Sequence, residues 1–287
     1  MLSLILLSVL LSSPQGQIET QALDFVCPMD PDVRAPLPGR CSRCGMELKV
    51  GVLDPIEYTL DLELRPRAPR ADQSVELIFA INEPNSGKPV QDFEIVHERP
   101  FHLFLVSESL DFFLHEHPVL GSDHRFRFRT RFPKPGMYRL LCDFYPKGGT
   151  PQLLARTVLI PGSHGVPLAF VPRSLSSDLS EKKSVNIAVE LVMQPSIPIA
   201  GMKTMLFFRI KPADGLEKYL GSWSHLLAFS DDIVDGMHAH PFLADGGPQV
   251  QFNMIFPRAH TYRIWAQFQR KGVVNTVVFD VPVSELK

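Results

Sequence analysis

Four cysteines in 287 residues are too few for a disulfide framework, and three of them crowd into Cys27, Cys41 and Cys44. An odd cluster containing a Cys-x-x-Cys pair is a metal-ligand pattern, and a bound ion would protect the thiolates in an oxidising compartment. Clustered positive charge is also missing. The formal net charge is -2 and no run of lysine or arginine tracks a phosphate backbone, which argues against nucleic acid as a partner. No stretch approaches the ~20 apolar residues that a membrane-spanning helix needs, so no transmembrane span is expected in the mature form. The apolar run Met1 to Leu11, followed by small and polar residues to Gln17, has the form of a secretory signal peptide without its positive n-region. Residues 1–17 are expected to be that signal, and the mature protein to be periplasmic or secreted. Disorder is not indicated, because 45% hydrophobic and 21% charged residues are globular values that suffice for two or three cores.

What the chain does have is an internal repeat. His115-Glu116-His117-Pro118 recurs as His238-Ala239-His240-Pro241, and each copy is preceded by a histidine that opens an apolar run, His102 to Ser107 and His225 to Ser230. Phe132-Pro133, Tyr138-Arg139 and Phe144 recur as Phe256-Pro257, Tyr262-Arg263 and Phe268. Self-similarity at such a distance signals tandem copies of one structural unit.

Each apolar run passes through an acidic turn before it reaches His-x-His, as in a β-hairpin. Pairing centred in that turn would set His102 opposite His115 and His225 opposite His238. Alternation along the strand then brings His117 and His240 to the same faces. Three imidazoles converging in each copy suit zinc, copper or nickel. The alternative is that His102 and His225 are core histidines hydrogen-bonded to backbone. Six of the ten histidines fall at matched positions; His97, His124, His164 and His260 do not.

Between Phe25 and Leu48, prolines and glycine impose turns, and Cys41-Ser42-Arg43-Cys44-Gly45 reads as a knuckle in which two thiolates clasp one ion. Cys27 offers a third sulfur. The stretch Cys27-Pro28-Met29-Asp30-Pro31 through Cys41-Ser42-Arg43-Cys44-Gly45-Met46 resembles the small heavy-metal-binding domain, whose pattern is Cys-Pro-Met-His-Pro followed by Cys-Pro-x-Cys-Gly-Met. Such modules accompany copper-transporting ATPases and efflux adaptors, which implies copper, silver or zinc as cargo. Asp30 replaces the family's histidine, so the implied ligands are Cys27, Asp30, Cys41 and Cys44, a set better suited to zinc than to Cu(I). Met29 and Met46 are either thioether ligands or packing.

The remainder alternates with period two, clearest in Arg125 to Phe132 and Tyr138 to Phe144, with turn residues at short spacing. The expected fold is therefore mainly β: a small cysteine knob (24–52) followed by two immunoglobulin- or cupredoxin-like β-sandwiches (55–162 and 166–287) of about seven strands each, joined near Pro161 to Gly165. Cys142 has Ala266 in the second copy and no histidine or methionine soon after it, which argues for a buried core residue and against blue copper. The expected function is extracytoplasmic binding of copper- or zinc-type ions, for sequestration or transfer to an efflux or acceptor protein. Met237 is placed to bias the second site toward Cu(I). The competing expectations are a histidine-coordinated metalloenzyme and an interaction module with structural zinc alone.

Overall fold

A computed structural model describes residues 25–30, 33–50, 57–162 and 174–286. The expected signal at 1–17 lies outside them, as does the part of the expected joint from Ser163 to Gly165. The described elements are all strands, as the alternation requires. In the knob β1 (Phe25–Val26) pairs with both β2 (Arg34–Ala35) and β3 (Lys49–Val50).

The first repeat contains β4 (Thr59–Arg65), β5 (Ser74–Asn82), β6 (Phe101–Ser107), β7 (Phe113–Glu116), β8 (Val119–Leu120), β9 (Arg125–Arg131), β10 (Gly136–Phe144) and β11 (Gln152–Ile160). They form two antiparallel sheets, β4-β5-β9-β8 and β11-β10-β6-β7. Residues of one parity meet between the sheets, including Leu77, Phe79, Phe126, Leu103, Leu140 and Cys142. Cys142 is a fully buried core residue.

The second repeat contains β12 (Lys182–Lys183), β13 (Ala188–Gln194), β14 (Lys203–Lys211), β15 (Leu216–Glu217), β16 (His225–Ser230), β17 (Gly236–Ala239), β18 (Gln249–Ile255), β19 (Thr261–Arg270) and β20 (Val273–Pro282). One sheet is β12-β13-β14-β18; the other runs β15-β19-β16-β17, with β20 along β19. Its core repeats the first, with Val250, Leu226, Ile264 and Ala266 in matching places. In both repeats a buried tyrosine ties down the preceding turn: Tyr138 donates to the Lys134 carbonyl and Tyr262 to that of Arg258.

The two histidine strands β6 and β16 are buried on both faces, since every one of their residues is buried. Their outer faces pack against each other through Phe104, Val106, Leu110 and Leu141 of the first repeat and Leu227, Phe229, Ile233 and Trp265 of the second. Phe113 stacks on Trp265, with ring centroids 5.2 Å apart. A side chain at Gly236 would strike Phe229 and approach Leu141, so glycine permits this contact.

The hairpin register differs from the expected one by two residues. Phe104 pairs with His115 and Leu227 with His238, which places His102 level with His117 and His225 level with His240. The turn is longer than its acidic centre suggests. Leu110 and Ile233 adopt left-handed backbone conformations (φ 55° and 52°) that direct their side chains into the inter-repeat core. Ser107 and Ser230 close these turns by accepting the Phe112 and Asp235 amides. A two-residue shift preserves side-chain parity, so the histidines keep their shared face.

Candidate metal centre

Cys27, Asp30, Cys41 and Cys44 offer four ligand atoms within 4.8 Å of one another. The Cys27 and Cys44 sulfurs are 3.4 Å apart, and Asp30 Oδ2 lies 3.4 Å from Cys41 Sγ and 3.8 Å from Cys27 Sγ. A tetrahedral zinc with Zn–S of about 2.3 Å spaces its sulfurs by about 3.8 Å, so the cluster is close to ligand spacing. Arg43 binds the other Asp30 oxygen at 3.0 Å and offsets part of the negative charge. Hydrogen bonding from Cys27, then from Cys44, holds the Cys41 thiol far below its usual range, while contact with Cys27 pushes the Cys44 thiol up and contact with Cys41 pushes Cys27 up to about 11. One thiolate therefore forms readily; a cation is what would allow three. Met46 packs with Val96 and Tyr145, which makes it filler between the knob and the first repeat.

His102, His115 and His117 form a second group within 4.8 Å, and His225, His238 and His240 a third. In the first triad His102 Nδ1 lies 3.2 Å from Nε2 of both His115 and His117. This matches the edge of about 3.3 Å expected for nitrogens around a tetrahedral ion at 2.0–2.1 Å. The far side of each ring fixes its tautomer. His102 Nε2 donates to the Val96 carbonyl (3.0 Å), and His115 Nδ1 donates to Gln267 Oε1 (2.7 Å), whose amide is turned by its bond to Thr276. Burial, followed by the charge of His238, lowers these imidazoles to about 4 and about 2, so both are neutral at pH 7. His102 Nδ1 and His115 Nε2 therefore face each other as two lone pairs, an arrangement that a hydrogen bond cannot reconcile and a cation can.

The second triad is built the same way. His225 Nε2 donates to the Tyr219 carbonyl (2.9 Å), and His238 Nδ1 donates to Asp143 Oδ2 (2.6 Å). Their remaining nitrogens, His225 Nδ1 and His238 Nε2, are buried with no partner, as is His240 Nε2. Leaving a buried polar atom unpaired costs about 1–3 kcal/mol, so three in one place call for a ligand. Both parts of the sequence alternatives are thus present in His102 and His225: one nitrogen is tied to backbone and the other is free to ligate.

The two triads adjoin. The rings of His102 and His115 lie 5.5 to 6.3 Å from those of His225 and His238, little farther than the 4.4 to 5.8 Å between members of one triad. Each triad is oriented from the opposite repeat, since Gln267 of the second holds His115 and Asp143 of the first holds His238. These two residues occupy equivalent positions on β10 and β19. Burial raises Asp143 to about 6. Sequence reasoning missed both, along with His97, whose ring centroid is 3.7 Å from that of His240. The available signal was the unbroken apolar run of β6, which marks a strand buried on both faces. Met237 is a correction: alternation turns it away from His238 and into the core of the second repeat, where it cannot tune the site. His260 sits instead in a half-buried group with Asp231 and Asp232, where its Nδ1 donates to Asp231 and Arg258 pairs with Asp232.

Above the triads, a cavity of about 10 Å³ is lined by Met29 of the knob together with His97, His102, Asp143, His238 and His240. The thiolate module and the imidazole cluster therefore adjoin.

Two β-sandwiches joined through paired histidine clusters and capped by a cysteine knob define a tandem β-sandwich protein with groups able to hold metal ions. The chain belongs to the family described as domain of unknown function DUF8832, whose model matches twice, at residues 54–160 and 183–285. The heavy metal binding domain model matches residues 25–49. No curated protein matches the chain. Among solved structures it is similar to the Escherichia coli adhesin FdeC (12% identity, 83% of this chain and 70% of that one, TM-score 0.27). It is also similar to a two-domain fibronectin type III segment of chicken tenascin (10%, 79% and 99%, 0.24) and to the fibronectin(III)-like modules of Clostridium thermocellum CbhA (9%, 79% and 95%, 0.23). Likenesses this slight carry no weight for function. Among the described residues no helix is long and apolar enough to cross a membrane.

Proposed function

We propose that this is an extracytoplasmic metal-binding protein, not an enzyme, that holds copper- or zinc-type ions and passes them to an acceptor. The observation that carries this is the pair of lone pairs, His102 Nδ1 and His115 Nε2, held 3.2 Å apart by tautomers fixed from outside the site. All-imidazole sites suit Cu(II) and zinc, whereas three thiolates and a carboxylate suit zinc better than Cu(I). Burial of the triads beside so small a cavity favours ion binding over turnover of an organic substrate. Met29, reaching from the knob to that cavity, supports transfer between thiolate and imidazole sites by ligand exchange, and an efflux or acceptor protein is the expected recipient.

The test is a zinc titration of the metal-free full chain followed by histidine ring NMR. Ligation predicts that Nδ1 of His102 and His225, and Nε2 of His115, His117, His238 and His240, shift on binding. Rings unmoved while one equivalent binds the knob would contradict it.

A further inference from the structure

We infer that Asp143 and Gln267 make the paired sites unequal: the carboxylate behind His238 makes the second triad the retaining site, and the amide behind His115 leaves the first triad the exchanging one. The inference rests on the triads being metal sites.

The two residues hold equivalent places, since Asp143 pairs with His102 on β6 and Gln267 with His225 on β16. Each reaches across the inter-repeat contact to a ligand of the opposite triad. Asp143 Oδ2 accepts from His238 Nδ1 at 2.6 Å, and Gln267 Oε1 accepts from His115 Nδ1 at 2.7 Å. The geometry is the same and the charge is not. Three neutral imidazoles leave both charges of a buried divalent ion uncompensated, and taking an ion out of water is costly unless an opposite charge accompanies it. A carboxylate bonded to the far nitrogen of a ligating histidine supplies that charge and makes the ligand more basic, whereas a neutral amide only orients the ring.

The surroundings of the first triad do not make up the difference. Glu116 lies between His115 and His117 in sequence, but it pairs with Leu103, and alternation turns it to the opposite face. The nearby charge on that side is a cation: burial, then His102 and His115, then Arg99 hold His117 at about 3. Asp143 also acts on His102 through space. His102 Nε2 is already committed to the Val96 carbonyl, however, so the hydrogen bond of the carboxylate goes to the second triad. An anion against one triad and a cation near the other act in the same direction. Ions offered to the chain therefore fill the second triad first, and an acceptor withdraws them from the first.

The experiment is zinc competition against graded chelators on the full chain, with the imidazole sites identified by His117→Ala and His240→Ala, each of which removes one ligand of one triad. In wild type the second triad should bind about tenfold or more tighter than the first. Asp143→Asn keeps a hydrogen-bond acceptor and removes the charge; it should weaken the second triad by about tenfold or more and the first by about threefold at most. Gln267→Glu, which adds the charge at the same side-chain size, should tighten the first triad by about tenfold. In the zinc-loaded protein the His238 Nδ1 proton should resonate well downfield of that of His115 and lose this displacement in Asp143→Asn, a signature that a packing role would not produce. A first triad as tight as the second in wild type, or either substitution failing to move its own site, would overturn the inference while leaving the triads as metal sites. If zinc binds only at the knob in all of these proteins, the reading of the triads as metal sites fails and this inference falls with it.

Discussion

Lowering the pH on metal-free protein should separate the repeats before either core unfolds. Burial holds His97, His102, His115 and His238 at about 3, 4, 2 and 3. Well above pH 6.5 these rings are neutral whether buried or exposed, and they contribute little to the pH dependence. Below 6.5 the opened chain takes up protons that the buried rings refuse, so stability falls with pH until the folded values are reached. At pH 5.5 each ring costs about 1.4 kcal/mol, or about 6 kcal/mol for the four. Asp143 works in the opposite direction. Its carboxyl, raised to about 6 against 3.8, is protonated first in the folded state and returns about 1 kcal/mol. The net loss of about 5 kcal/mol is comparable to the stability of a whole domain. Trp265, 4% exposed and stacked on Phe113 in the inter-repeat core, reports the opening. In a Trp223→Phe background its fluorescence should change with a midpoint between about pH 5 and 6, and zinc should move that midpoint lower because protons must first displace the ion. A signal unchanged to about pH 4 would refute the buried neutral imidazoles, and equal midpoints with and without zinc would refute ligation.

Asp143→Asn should lower zinc affinity at the second triad, and Gln267→Ala at the first, each by about 10- to 100-fold, because each orients a ligand of the opposite repeat; chelator competition measures both. Trp265→Ala should cost about 3–5 kcal/mol in urea unfolding through the cavity it leaves. Cys41→Ser, or chelation of the knob's ion, should unfold residues 25–50 and expose them to protease while both sandwiches stay intact, since so short a segment draws on the order of 10 kcal/mol from a structural metal.

Much of the architecture was legible because the strands obey simple rules. Period-two alternation placed Tyr138, Leu140, Cys142 and Phe144 on one face, and that face is the core of the first repeat. The repeat announced two sandwiches, and parity alone brought three imidazoles together in each hairpin despite a register two residues from the expected one. That shift was hidden because Leu110 and Ile233 were free to leave the turn centre only once an inter-repeat core existed to receive them. The joining of the triads was hidden for the same reason. Alternation shows that Asp143 and Gln267 point away from their own core, but only packing shows that this outward side is covered by the other repeat. His97 escaped because a repeat comparison discounts what the copy lacks, and its counterpart is Leu220. Met237, by contrast, was misplaced where the rule was available, since a residue adjacent to His238 on a strand must face the other way.

The most direct test is the metal content of protein purified from outside the cytoplasm, wild type against the double variant His115→Ala, His238→Ala. The account predicts three ions per chain, falling to the knob's single ion in the variant. One ion in both proteins would show that the histidines only pack the repeats together.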